Sequence, residues 1–195
     1  MAETILVTGA SAGFGQAICQ RLVADGHRVI GAARRIEKLQ ALHEELGEAF
    51  YPLQMDVTDL SQVDLALASL PKAWERIDVL VNNAGLALGL APAYEAEVAD
   101  WLTMIQTNIV GLTYLTRKIL PQMVERNDGY IINLGSTAGT VPYPGANVYG
   151  ASKAFVKQFS LNLRADLAGK KIRVSNIEPG LCEGTEFSTV RFKGD

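Results

Sequence analysis

The sequence predicts a doubly wound α/β fold, and three observations carry that prediction. Short runs rich in Val and Ile recur along the chain, segments of helical period stand between them, and a small-residue cluster, Thr8-Gly9-Ala10-Ser11-Ala12-Gly13-Phe14-Gly15, follows the first run. Most of the runs are apolar on both faces, which suits parallel strands covered by helices on each side. Alternation of the two element types implies right-handed crossovers, with ligands expected at the carboxyl ends of the strands near the point where the strand order reverses.

Taken in order, the strands fall at Thr4–Thr8, Arg28–Ala33, Phe50–Gln54, Val79–Val81, Tyr130–Leu134 and Arg173–Ile177, each long enough for a strand and too short for a helix. The helices fall at Gly15–Asp25, Ile36–Leu46, Ser61–Leu70, Glu97–Arg126 and Val148–Leu167. Glu178 to Asp195 reads as a Gly-containing loop with no room for another helix and strand. The expected fold is therefore a Rossmann-type doubly wound parallel sheet with helices on both faces, lacking its C-terminal strand and helix. No repeat, low-complexity tract or linker divides it, so one C-terminally incomplete dinucleotide-binding domain is expected over residues 1–195.

Composition narrows the function classes. The 18 basic and 21 acidic residues are scattered, giving a net charge of −3, and no Lys/Arg tract is present to neutralise a phosphate backbone, which argues against a nucleic-acid partner. The two cysteines, Cys19 and Cys182, suggest no disulfide framework and fit a reducing cytosol. Met1-Ala2-Glu3-Thr4 lacks the basic and apolar regions of an export signal, and every apolar run stops short of the ~18 residues of a bilayer span, so a soluble cytoplasmic protein with no membrane partner is expected. His27 and His43 lack ligand-spaced Cys or carboxylates; no metal is assigned, and both read as surface residues.

The glycine cluster lies where small residues let backbone N–H groups approach a pyrophosphate at a helix N-terminus, although its G-x-x-x-G-x-G spacing alone equally suits a tight turn. At the end of the second strand stand Arg34 and Arg35, where an acid would hold a ribose 2′-hydroxyl and Arg accommodates a 2′-phosphate. NADP is preferred to NAD on that ground; two arginines that merely solvate a loop are the alternative. Asp56 could accept from an adenine amino group, with Val57 packed on the ring, and Asn82-Asn83-Ala84-Gly85 would let backbone approach the adenosine ribose. Ordinary turn chemistry explains either group better when it is taken singly, and only the context favours the cofactor.

Tyr149 and Lys153 are four apart on a helix and share a face, so phenol and ammonium can enter one cleft. A nearby cation favours the phenolate and would lower the Tyr pKa towards a useful acid/base catalyst, whereas an isolated pair at this spacing is ordinarily a surface pair. Ser136 ends the fifth strand and could hold a substrate oxygen, or simply bond its own loop. Asn108 is a polar residue in an apolar helical stretch, from which a water-mediated relay to Lys153 is conceivable.

The glycine pattern, Asn82-Asn83-Ala84-Gly85, Asn108, Ser136, Tyr149 with Lys153, and Pro179-Gly180 together resemble the short-chain dehydrogenase/reductase family in order and approximate spacing. The resemblance implies a tetrad. In it Tyr149 is general acid/base, Lys153 holds the nicotinamide ribose and lowers the Tyr pKa, Ser136 orients the substrate oxygen and Asn108 maintains a proton relay. More narrowly, the glycine loop, Arg34-Arg35 and Glu178-Pro179-Gly180-Leu181 followed by Gly184-Thr185-Glu186-Phe187-Ser188 are similar to NADP-dependent 3-hydroxy acid dehydrogenases, which oxidise serine, allo-threonine and related acids. That similarity implies a homotetramer and places Pro179, Gly180, Leu181, Thr185 and Phe187 at the cofactor. Many NADP-using relatives carry a basic residue where this chain has Ala12, which leaves the phosphate to Arg34 and Arg35. The family also runs roughly fifty residues past the position of Asp195, adding lid and edge strand. Fold and tetrad do not fix the substrate: reduction of a ketoacyl thioester or diketone, or a non-catalytic cofactor-binding fragment, are the other readings.

Overall fold

The computed structural model describes residues 2–180 and 190–191. Six parallel strands form one sheet: β1 (Thr4–Thr8), β2 (Arg28–Ala33), β3 (Phe50–Gln54), β4 (Val79–Asn82), β5 (Gly129–Leu134) and β6 (Ile172–Ile177), in the order β3-β2-β1-β4-β5-β6. Successive crossovers step outward from β1 in one direction to β3 and then in the other from β4 to β6, so the order reverses between β1 and β4. Helices α1 (Gly13–Ala24), α2 (Ile36–Leu46), α3 (Leu60–Ala68), α4 (Val98–Ile105), α5 (Leu112–Arg126) and α6 (Asn147–Asp166) connect the strands. The expected doubly wound sheet is present.

Period-two alternation along the strands decides which side chain meets which helix layer. Leu6, Ile30, Leu80, Ile131 and Val174 face Leu115, Ile119 and Met123 of α5 and Leu163 of α6. Ile5, Val7, Val29, Val79 and Val81 face Cys19 of α1 and Leu39 and Leu42 of α2. Each fully buried side chain of this size stabilises the fold by about 1.5–3 kcal/mol. Two asparagines interrupt the apolar interior and satisfy each other: Asn82 Nδ2 donates to Thr116 Oγ1 (3.0 Å) and Asn133 Oδ1 (2.9 Å), and Asn133 Nδ2 donates to Ser160 Oγ (2.9 Å). This chain ties β4 and β5 to α5 and α6 beneath the cleft.

The main departure from expectation is the long helix at 97–126. It is α4 and α5 joined by a π-helical turn, Gln106–Gly111. Gly111 passes so close to the third-strand loop that a Cβ there would lie 2.7 Å from the Val57 carbonyl, and the wider turn also accommodates the buried Asn108 amide. Val190 and Arg191 are helical where a loop was expected. His27 and His43 are half-buried rather than surface residues: the His27 ring accepts from the Glu3 backbone N–H (3.3 Å), and His43 Nδ1 bonds the Phe50 carbonyl (2.7 Å). Among the described residues no helix is long and apolar enough to cross a membrane, and no cluster of His, Cys, Asp and Glu could hold a metal.

Candidate active site

The glycine loop is a backbone surface folded against the end of β4. Gly9 takes a φ of +68°, and a Cβ on it would lie 2.9 Å from Asn83 Nδ2; a Cβ on Gly15 would lie 2.1 Å from the Gly9 carbonyl. Both positions exclude any side chain. Thr8 and Asn83 lock the loop in place: the Thr8 hydroxyl accepts from the Asn83 and Ala84 N–H groups (3.1 and 2.9 Å), and Asn83 Nδ2 donates to the Thr8 carbonyl (2.8 Å). Ala10 is buried with its N–H on the Ala32 carbonyl (3.1 Å). Helix α1 starts from an extended Ala12, with no side-chain cap and no acid in its first turn. Its leading N–H groups and positive dipole end are therefore turned towards the carboxyl edge of the sheet without a competing anion. Gly13 opens the helix and Phe14 is exposed.

Arg34 and Arg35 lie exposed at the end of β2. Arg35 reaches across to the glycine loop, its Nε and Nη2 donating to Ser11 Oγ at 3.3 and 3.2 Å, so a cation borders the loop. Asp56 Oδ1 accepts from the Thr58 N–H (2.9 Å) and hydroxyl (2.8 Å), which is turn chemistry of the kind its sequence context allows. Val57 is half-buried, packed on the core and against Gly111.

The second cluster is made of side chains. Tyr149 and Lys153 are both buried on α6, with Lys153 Nζ 5.9 Å from the centre of the Tyr149 ring and donating to the Leu134 carbonyl at the end of β5 (2.8 Å). Ser136 begins the loop after that strand; its hydroxyl accepts from the Ala138 N–H (3.1 Å) and is hydrogen-bonded to the Tyr149 phenol. Asn108 pins the β4 loop, its Oδ1 accepting from the Leu86 N–H and its Nδ2 donating to the Leu86 carbonyl, both at 2.9 Å, and to Ser152 Oγ at 3.0 Å. Asn108 Oδ1 and Lys153 Nζ flank Gly85, each 3.3 Å from where its Cβ would be, so the gap between them is kept open by a glycine. Pro179 is close by, its carbonyl accepting from the Thr137 N–H (3.1 Å), and Gly180 is exposed. Leu181, Thr185 and Phe187 lie outside the described residues.

Charge states in this cluster depart from the simple expectation. Burial pushes the Tyr149 phenol above its ordinary value, and the Ser136 hydrogen bond and the Arg191 cation pull the other way while Tyr143 adds to the rise. The expected lowering of the Tyr149 pKa by Lys153 is thus corrected: burial dominates, and the opposing cation is Arg191. Lys153 is itself pushed down to about 8 by burial. Arg191 escaped the sequence reading. A single cation in the apolar stretch Val190-Arg191-Phe192 was the available signal. Ser152 escaped too, being one hydroxyl among many.

Comparison with known proteins follows the same lines. The family model described as short chain dehydrogenase matches residues 3–194. An NADP-dependent 3-hydroxy acid dehydrogenase, YdfG, from Salmonella typhi is 63% identical over 191 residues, covering 98% of this chain and 77% of the relative. Serine 3-dehydrogenase from Rhizobium radiobacter is 55% identical over 195 residues, covering 100% of this chain and 78% of the relative. Among solved structures, the closed form of serine dehydrogenase complexed with NADP+ matches with a TM-score of 0.97 at 61% identity, over 98% of this chain and 77% of that one.

Proposed function

The chain belongs to the short chain dehydrogenase family, and on that premise we propose that it is an NADP-dependent oxidoreductase that reversibly oxidises the β-hydroxyl of small 3-hydroxy acids of the serine, allo-threonine and 3-hydroxypropionate type. The observation that carries this reading is the meeting of Tyr149, Ser136 and Lys153 at the carboxyl end of β5, with the glycine loop at the carboxyl end of β1 across the single intervening strand β4. The names of the similar dehydrogenases support the cofactor and substrate class.

The residues present fit a dinucleotide phosphate. Gly9 and Gly15 leave a cradle that a Cβ would fill, the first turn of α1 is uncapped, and Arg34 and Arg35 supply positive charge where a 2′-phosphate would lie. Residues 9–15, Arg34 and Arg35 would hold the phosphates, with Asp56, Val57 and Asn83 on the adenosine side. Pro179, Gly180, Leu181, Thr185 and Phe187 would lie at the nicotinamide end. Bound there, NADP+ supplies the hydride acceptor.

The chain's own residues handle the proton and the geometry. Ser136 and Tyr149 hold the substrate hydroxyl, and the Tyr149 phenolate oxygen takes its proton during oxidation and returns it during reduction. Since burial opposes the phenolate, charge near the phenol has to favour it, and Lys153 and Arg191 are the cations in place to do so. Lys153 also holds the nicotinamide ribose, and Asn108, across the Gly85 gap, maintains the relay that carries the proton away from Tyr149 in oxidation and resupplies it in reduction. The reading extends to one catalytic domain within residues 1–195, acting as a homotetramer in the cytoplasm.

A coupled assay tests it. With NADP+, serine, allo-threonine or 3-hydroxypropionate is expected to drive NADPH formation, at least about tenfold more efficiently than with NAD+. Turnover confined to ketoacyl thioesters or diketones, or confined to NAD+, would overturn the proposal.

A further inference from the structure

Arg191 is held in the cleft by neutral partners. Its carbonyl accepts from the Gly89 N–H (2.9 Å), its Nε donates to the Gly89 carbonyl (3.3 Å) and its Nη1 donates to the Tyr143 hydroxyl (2.9 Å). The guanidinium carbon stands 5.3 Å from the centre of the Tyr143 ring and 5.5 Å from that of Tyr149. Its Nη2 is shielded from solvent with no hydrogen-bond partner, and among the described residues no carboxylate forms an ion pair with it. A guanidinium is a planar fork of five donors, and shielding one from water without a counter-ion costs free energy.

We infer that Arg191 is the carboxylate clamp of this enzyme, a specificity-determining cation that takes the acid group of a 3-hydroxy acid while the substrate hydroxyl meets Tyr149. The inference rests on the reaction proposed above and deepens it. A carboxylate matches the guanidinium fork in charge and planarity, and in a 3-hydroxy acid it lies two bonds from the carbon bearing the hydroxyl. The 5.5 Å between the guanidinium carbon and the Tyr149 ring puts the two groups beside one another. Arg191 also lines a cavity of about 300 Å³ whose wall carries Glu95, Glu97 and Asp100.

The competing role for Arg191 is purely structural, bolting its segment to Gly89 and Tyr143. The two roles separate in the preference for 3-hydroxypropionate over its neutral methyl ester, read as the ratio of kcat/KM values with NADP+. That ratio is expected to fall about 100-fold in Arg191→Gln and about tenfold in Arg191→Lys, which keeps the charge but loses the fork. A bolt would lower both substrates alike; an unchanged ratio overturns the clamp. Calorimetric binding of 3-hydroxypropionate to the NADP+ complex gives a readout independent of turnover, and equal affinity in wild type and Arg191→Gln also overturns it. A wild type that binds the acid through Arg191 yet oxidises no 3-hydroxy acid overturns the reaction and leaves the clamp. A wild type that oxidises ester and acid equally well overturns the clamp and leaves the reaction.

Discussion

At the carboxyl end of β1 the cleft is lined by backbone, whereas at the carboxyl ends of β4 and β5 it is lined by side chains whose polar atoms are spent on one another. The first region works by exclusion: Gly9 and Gly15 leave no room for a Cβ, and α1 begins without a cap. The second works by inclusion: Asn108, Ser136, Tyr149, Ser152 and Lys153 are half-buried or buried and hydrogen-bonded. Adding atoms should therefore break the first region, and removing them should break the second. A buried cation makes the second region costly to fold, a cost the first does not carry.

Tyr149→Phe should have the largest effect. Removing one oxygen is expected to lower kcat by about 10³-fold with NADP+ affinity almost unchanged, as steady-state kinetics and fluorescence titration would show. Comparable turnover in that variant would erase the distinction between the two regions.

Lys153→Met should trade activity for stability. The folded pKa is about 8 against an ordinary value of 10.5, so between those values the unfolded chain binds more protons and stability rises with pH; below about 8 the full cost of burying the charge is borne. That cost is on the order of 3 kcal/mol, partly offset in the variant because the Leu134 carbonyl loses its donor. A gain in Tm of roughly 3–8 °C is expected at pH 7, shrinking as pH approaches 10, together with loss of turnover. Thermal melts of both proteins at the two pH values decide it, and an equal or lower Tm at pH 7 would contradict it.

Gly15→Ala tests the region built by exclusion. The methyl group cannot fit 2.1 Å from the Gly9 carbonyl, so the loop must shift, at a cost of about 1–3 kcal/mol. Lower Tm and weaker NADP+ binding are expected together, and full retention of both would show that the cradle yields. Smallest is the effect of Arg34→Ala/Arg35→Ala, expected to weaken NADP+ binding about tenfold while leaving NAD+ binding nearly unaltered. Equal losses for both nucleotides would remove the phosphate role.

The strands β1, β2 and β3 and helix α2 lie at the residues their hydrophobic pattern predicts, because period and turn chemistry are local properties of the chain. Tyr149 and Lys153 were recognisable for the same reason, as a spacing on one helix. Their charge states were not: the direction of the Tyr149 shift follows from burial by distant segments. The π turn was hidden because the contact made within it, the approach of Gly111 to Val57, joins residues far apart in sequence. Arg191 was hidden likewise, its partners Gly89 and Tyr143 being 102 and 48 positions away. The bracing of the glycine loop by Asn83 was hidden too, since its partner Thr8 is 75 positions away.

The π turn at Gln106–Gly111 constrains how this gene can change in length. A π turn holds one residue more than the α turn it replaces, so losing one there would let the helix close into regular α geometry with everything downstream kept on its face. Leu115, Ile119 and Met123 would stay on the sheet while Asn108 lost its hold on Leu86 and Ser152. Substitutions in this stretch can be absorbed one at a time, but an in-frame deletion spares the core and removes the Asn108 contacts of the cleft in a single event. Across descendants of this chain, the six codons of the turn should vary in identity far more readily than in number.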